Sequence, residues 1–180
     1  WLAQAPELQE QIERIDLDSA ILTEQFYFFT VVIMWLIHVG FMAYEAGVAR
    51  RKNIMSTAMK NILTIAVVTP SFYYFGWWIY NCNQPGLPIG PNSTDFTSVA
   101  CQGGIPWSDV FGPNLTNNIN LIFFLAFLLF SWTTASIMSG ALLERVRLSA
   151  YLVLAVLLGS AVWILDAAWG WSAGGWMALR

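Results

Sequence analysis

Residues Leu121 to Leu143 form a run of 23 amino acids without a single charge. No soluble domain accommodates such a run easily. At about 1.5 Å rise per residue, a helix of that length crosses a hydrocarbon core of about 30 Å. A second apolar run begins at Ser149 and carries one charge, Asp166, before Trp171. Between the two lies a charged hinge, Glu144-Arg145-Val146-Arg147. The pair reads as a transmembrane hairpin whose arginine-bearing tip belongs in the cytoplasm.

Composition extends the same reading to the whole chain. It is 57% hydrophobic and 11% charged, with 10 Trp and 12 Phe, which is membrane-protein usage. The net charge of −3 conceals an asymmetry. Six acids, from Glu7 to Glu24, precede residue 25, whereas Arg50, Arg51, Lys52, Lys60, Arg145 and Arg147 gather in two short stretches. The connector from Asn81 to Asn118 has neither Lys nor Arg. These biases predict the N-terminus and that connector on the non-cytoplasmic side, and both basic stretches inside. The expected fold class is therefore an all-α membrane protein. Four spans are expected at about 26–48, 61–80, 119–143 and 150–171, with a tail at 177–180 and the lipid bilayer as solvent.

Residues 1–25 read as an amphipathic leader helix outside the membrane, with Leu8, Ile12, Ile15 and Ile21 or Leu22 recurring every three to four positions. Asp18-Ser19 is positioned to cap the helix that follows. The leader is too polar to insert and lacks the pattern of a signal peptide, so it fits a partner-contacting or interfacial helix. The chain opens on Trp1, and residues upstream of it are expected. In the first span His38, the only histidine, is expected to pack as a hydrogen-bonded core residue. Glu45 should accept hydrogen bonds from neighbouring helix ends or pair with a base, as intramembrane acids require partners. Pro70, in the second span, should kink its helix unless neighbours satisfy the freed carbonyl. The aromatic residues from Phe72 to Tyr80 read as an interfacial girdle.

Cys82 and Cys101 both fall on the non-cytoplasmic side, where a disulfide closing about 20 residues would contribute roughly 3 kcal/mol. Two unpaired thiols are the alternative. Asn92-Ser93-Thr94 and Asn114-Leu115-Thr116 match the N-glycosylation pattern on that same side. No cofactor motif, metal-ligand spacing or nucleophile–base pairing suggests an enzyme, and two small basic loops do not make a nucleic-acid surface.

In the first arm of the hairpin, Ser131, Thr133, Thr134, Ser136, Ser139 and Gly140 recur at spacings that let helix backbones approach closely in lipid. Phe130 and Trp171 lie toward the outer ends of the two arms. Such rings serve an interfacial belt or attract a cation through the ring quadrupole. The pattern Ser139-Gly140-Ala141, Glu144-Arg145, Arg147, Ser149-Ala150 resembles the third-to-fourth helix hairpin of the ammonium transporter family. A second block resembles the end of that family's first helix and its first loop: Gly40-Phe41, Glu45-Ala46-Gly47, Arg50, Lys52-Asn53. The two occur in the family's order.

The resemblance implies ammonium as substrate, recruited at an outer vestibule where Phe130 and Trp171 match the family's phenylalanine gate and tryptophan. It implies a homotrimer, or other membrane-protein partners, as the assembly. Asp166 would add negative potential to the vestibule or hydrogen-bond a neighbouring helix. Ala168 stands where the family usually has a His, and Leu165 and Asp166 occupy a region where it has a Pro. The family's pore histidines and Asp-rich motif belong to later helices. The chain is thus expected to be the N-terminal part of an ammonium transporter-like protein, or a transport-inactive structural subunit built on that scaffold. A sensor module would need a cytoplasmic C-terminal extension.

Overall fold

A computed structural model describes residues 5–82, 118–171, 175, 177 and 178. All of its regular structure is helical, and four helical stretches are long and apolar enough to cross a membrane. Helix α1 (Ala5–Val48) leads into a single 3₁₀ turn at Arg51–Asn53. Helix α2 (Ile54–Ser71) continues through a π-helical turn, Phe72–Gly76, into α3 (Trp77–Cys82). Helix α4 (Asn118–Ala141) and helix α5 (Leu148–Leu157) are the arms of the predicted hairpin. A second π-helical turn, Leu158–Val162, joins α5 to α6 (Trp163–Gly170).

The leader expected as a separate helix is continuous with the first span. Asp18-Ser19 does not cap a new helix, because Ser19 Oγ donates back to the Asp16 carbonyl at 2.9 Å within α1. Thr23 and Thr30 make the same kind of backward bond to Ser19 and Phe26, so nothing interrupts the ladder there. With 44 residues, α1 is about 66 Å long, twice the hydrocarbon thickness.

Helix α4 is the centre of the packing. Half of its apolar window is buried, against 11% for α1. Phe124, Phe127, Leu128, Leu129, Trp132 and Ala135 meet Met34 of α1, Val68 and Phe72 of the second span, and Tyr151, Ala155 and Ile164 of the fourth. Small residues permit the closest approach. Gly159 comes so near α4 that a Cβ there would sit 2.7 Å from Ser131 Oγ, and Ser131 Oγ donates to the Gly159 carbonyl at 2.8 Å.

Pro70 is accommodated inside α2 as expected of a proline with helpful neighbours. It supplies no N–H to the preceding turn. Thr69 and Ser71 donate to the Ile65 and Val68 carbonyls, and the backbone relaxes into the π turn immediately after. Ser71 Oγ also meets Ser160 Oγ at 2.8 Å, so the two π turns face each other across the bundle.

Candidate functional site

Candidate side chains gather at two ends of the bundle. At the hairpin-tip end, Glu45 is 2% exposed yet surrounded by donors. Lys60 Nζ lies 3.1 Å from its Oε2, Asn61 Nδ2 donates to the same oxygen at 2.7 Å, and Ser139 Oγ donates to Oε1. Both readings offered for Glu45 meet here, since it pairs with a base and accepts from neighbouring helices. Lys60 was expected among the loop bases. It lies instead nearly two turns inside α2, donates to the Ser139 carbonyl at 3.4 Å, and sits 5.3 Å from the Tyr151 ring centroid. Tyr151 OH in turn meets Thr64 Oγ1 at 2.7 Å.

His38 is buried one layer deeper, as a packing residue. Its Nδ1 is 3.4 Å from Ser136 Oγ and its ring is tilted against Trp132. Above Glu45, Glu144 at the hairpin tip ties the two short loops together. Its Oε1 accepts from the Arg50 backbone N–H at 3.0 Å and from Asn53 Nδ2 at 2.8 Å, and its Oε2 lies 3.4 Å from Arg50 Nε. Those donors hold its carboxyl below the usual carboxylate range, the Arg50 N–H most of all. Glu144 has φ 60°, a left-handed conformation that a side chain enters only when its surroundings demand it. Asn53, Lys60, Ser139, Glu144 and Tyr151 line a cavity of about 210 Å³ between the loops.

The opposite end is aromatic. Phe130 and Trp171, far apart in sequence, meet edge to face with centroids 5.2 Å apart. Trp163, which sequence reasoning left out, completes the group. It stacks on Phe130 at 5.9 Å and stands at 85° to Trp171. The helical spacing of Trp163 and Trp171 on one arm was the available signal. Phe127 backs the set, 6.4 Å from Trp171. Trp171 is 60% exposed, so one face of the cluster is open. Asp166 is also exposed, but it makes no hydrogen bond or ion pair with the other described residues, and at 100° per residue it points about 140° away from Trp171. Cys82 closes α3, while Cys101, Asn92 and Asn114 lie outside the described residues.

A hairpin with a Ser-Gly-Ala and Glu-Arg tip, clamped to the loop after a Glu-bearing first helix, is the arrangement the two sequence blocks implied. The model of the Ammonium Transporter Family matches residues 25–180. The chain belongs to the ammonium transporter family. Among its relatives, an ammonium transporter of Bacillus subtilis is 31% identical over 158 residues, covering 84% of this chain and 35% of that protein. Ammonium transporter Amt2 of Archaeoglobus fulgidus is 30% identical over 146 residues, 81% of this chain and 28% of its own. Ammonium transporter 1 member 3 of Solanum lycopersicum is 27% identical over 151 residues, 83% and 29% respectively. The chain therefore spans about a third or less of the length of these curated relatives. No solved structure matches it. The chain is an all-α integral membrane protein of this family, with four spans like those of the family's N-terminal part.

Proposed function

We propose that the chain takes part in moving ammonium or ammonia across a membrane, with its aromatic end as the outward-facing recruitment site. The observation that carries this reading is the meeting of Phe130 and the exposed Trp171, with Trp163 stacked behind. Three rings around one open face present their negative quadrupoles to a small cation, and each such contact contributes about 0.5–2 kcal/mol. The concentration of basic residues near Arg50 and Arg145 supports the orientation, with the tip end in the cytoplasm and the N-terminus and the Asn81–Asn118 connector outside. Asp166 adds a negative charge on the same helix without bordering the rings. The test is tryptophan fluorescence of the purified chain titrated with methylammonium. Saturable quenching lost in Trp171→Leu supports recruitment; identical titrations for both proteins refute it.

A second reading, a transport-inactive structural subunit, is favoured by the apolar surface that α1 leaves uncovered, including Phe28, Phe29, Val32 and Leu36. On this reading the chain co-purifies with other membrane proteins and gives no ammonium flux in liposomes.

A further inference from the structure

His38 is 5% exposed and Asn61 1% exposed, yet neither His38 Nε2 nor Asn61 Oδ1 meets a hydrogen-bond partner among the described residues. A polar atom left bare inside a bundle is costly, the more so in lipid, where no bulk water stands nearby. The two residues come from different helices, and both border one cavity of about 210 Å³ between α1 and α2. Its other walls include Trp35 and Met42 of α1 and Ile62 and Ile65 of α2, and are largely apolar.

The neighbours fix what each atom offers. Asn61 Nδ2 donates to Glu45 Oε2 at 2.7 Å and to the Thr57 carbonyl at 3.2 Å. Reversing the amide would set its oxygen against two acceptors, so the atom left over is the carbonyl oxygen, which only accepts. His38 turns Nδ1 to Ser136 Oγ at 3.4 Å. That leaves Nε2 on the other edge of the ring, donor or acceptor according to the tautomer. One partner for both atoms must therefore donate to Asn61 and either donate to His38 or accept from it. It should also be neutral, because Lys60 already balances Glu45 alongside.

We propose that α1 and α2 hold between them an intramembrane site for one small neutral molecule, water or ammonia, bridged by His38 and Asn61. Each of these molecules carries both a hydrogen to donate and a lone pair, so each satisfies either tautomer. The cavity exceeds the roughly 30 Å³ that a water occupies in the liquid, and two polar atoms are the fewest that retain one. The site stands apart from the aromatic end and does not depend on cation recruitment there. It connects instead to the tip end. Asn61 bonds Glu45, and Glu45 pairs with Lys60, which lines the cavity between the short loops.

Because His38 is the only histidine, labelling the full chain with 15N-histidine gives one imidazole to follow. In phosphatidylcholine vesicles, solid-state NMR should show magnetisation passing from water protons to Nε2 several-fold faster than to Nδ1, which Ser136 covers. Ile65→Phe, which enlarges a wall side chain of the cavity, should bring Nε2 down to the rate of Nδ1. Ammonium chloride at mildly alkaline pH, compared with sodium chloride, separates the two occupants. A saturable shift of the Nε2 resonance identifies ammonia, and an unmoved resonance with fast water transfer identifies water. Equal rates at the two nitrogens of the unsubstituted chain, with no shift on adding ammonium chloride, overturn the proposal. So does fast transfer to Nε2 that survives Ile65→Phe in a folded protein. The comparison of the two nitrogens needs no substitution, so it decides the matter even where Ile65→Phe fails to fold.

Discussion

The two ends of this bundle solve opposite problems with the same helices. At the tip end, polar groups are driven inside: Glu45, Asn61, Ser136 and Ser139 are all at most 2% exposed and bonded to one another or to the backbone. At the aromatic end, large apolar rings are left partly outside, with Trp171 more than half exposed. The first end is held by bonds that cross between helices, with Asn61 and Ser139 both donating to Glu45. The second is held by ring contacts worth about 0.5–1.5 kcal/mol apiece, and it keeps an open face. One end therefore reads as a fastener and the other as a surface that something else meets.

The sharpest way to break the contrast is to unpair the fastener. Glu45→Ala leaves the part-buried Lys60 without its carboxylate and should destabilise the chain by about 3 kcal/mol. Thermal unfolding in detergent reads this directly. Glu45→Gln with Lys60→Met, which removes both charges, should recover much of the loss. If the single and double variants unfold together, the pair is not what fastens this end.

Midway between the ends, Gly159 tests whether close backbone approach transmits order from one to the other. In Gly159→Ala the new methyl would lie 2.7 Å from Ser131 Oγ, 3.1 Å from Val68 Cγ1 and 3.2 Å from the Ser131 carbonyl oxygen. The last of these belongs to the backbone and cannot rotate aside. A loss of about 1–3 kcal/mol is expected. Fluorescence of Trp163, four residues on, should change with it; unchanged stability would mean that α5 retreats freely from α4.

Much of this was legible in the sequence because lipid imposes simple rules. Uncharged length gave the spans, and basic residues marked the short loops. The hairpin-tip motif and the pairing of Phe130 with Trp171 followed from resemblance, and the rings do meet. Lys60 was misplaced because a single base nearly two turns inside a helix looks like a loop base until its carboxylate partner, 15 positions earlier, is seen beside it. The leader's continuity was hidden because Asp18-Ser19 has the chemistry of a cap. Only the backbone decides whether a serine caps a new helix or bonds back within an old one. Trp163 went unnoticed for a different reason: interfacial tryptophans are common enough that spacing alone does not single one out.

At the aromatic end the expected effects are smaller and of another kind. Trp171→Leu should scarcely move the unfolding midpoint, because the side chain is already largely in solvent. It should weaken methylammonium binding by up to about 30-fold, the equivalent of a 2 kcal/mol cation–π contribution. Phe130→Leu should weaken binding less, and it should also loosen the stack on Trp163. A Trp171 variant that unfolds early while binding normally would exchange the roles assigned to the two ends.

The finest distinction lies within the tip end, between buried Glu45 and solvent-facing Glu144. The Arg50 N–H and Asn53 amide hold the Glu144 carboxyl below its ordinary value, so the folded form takes up its proton at lower pH than the unfolded form. A depressed carboxylate stabilises the fold above the unfolded value of about 4.3 and loses that contribution as pH falls through the folded one. The clamp on Arg50 should therefore be fully present at neutral pH and at pH 5, and released only under stronger acid. Amide exchange at Arg50, compared with a Glu144→Gln reference at each pH, isolates the effect. Protection in excess of the reference should be present at pH 7 and at pH 5, and lost in acid below the ordinary carboxylate range. Should the excess persist in acid, the Arg50 amide is held by the turn itself, whose left-handed Glu144 would then be imposed by the hairpin rather than secured by its carboxylate. Because this group is open to water, its release should leave the midpoint of unfolding almost where it was. That outcome would locate the fastening in the buried layer below, at Glu45.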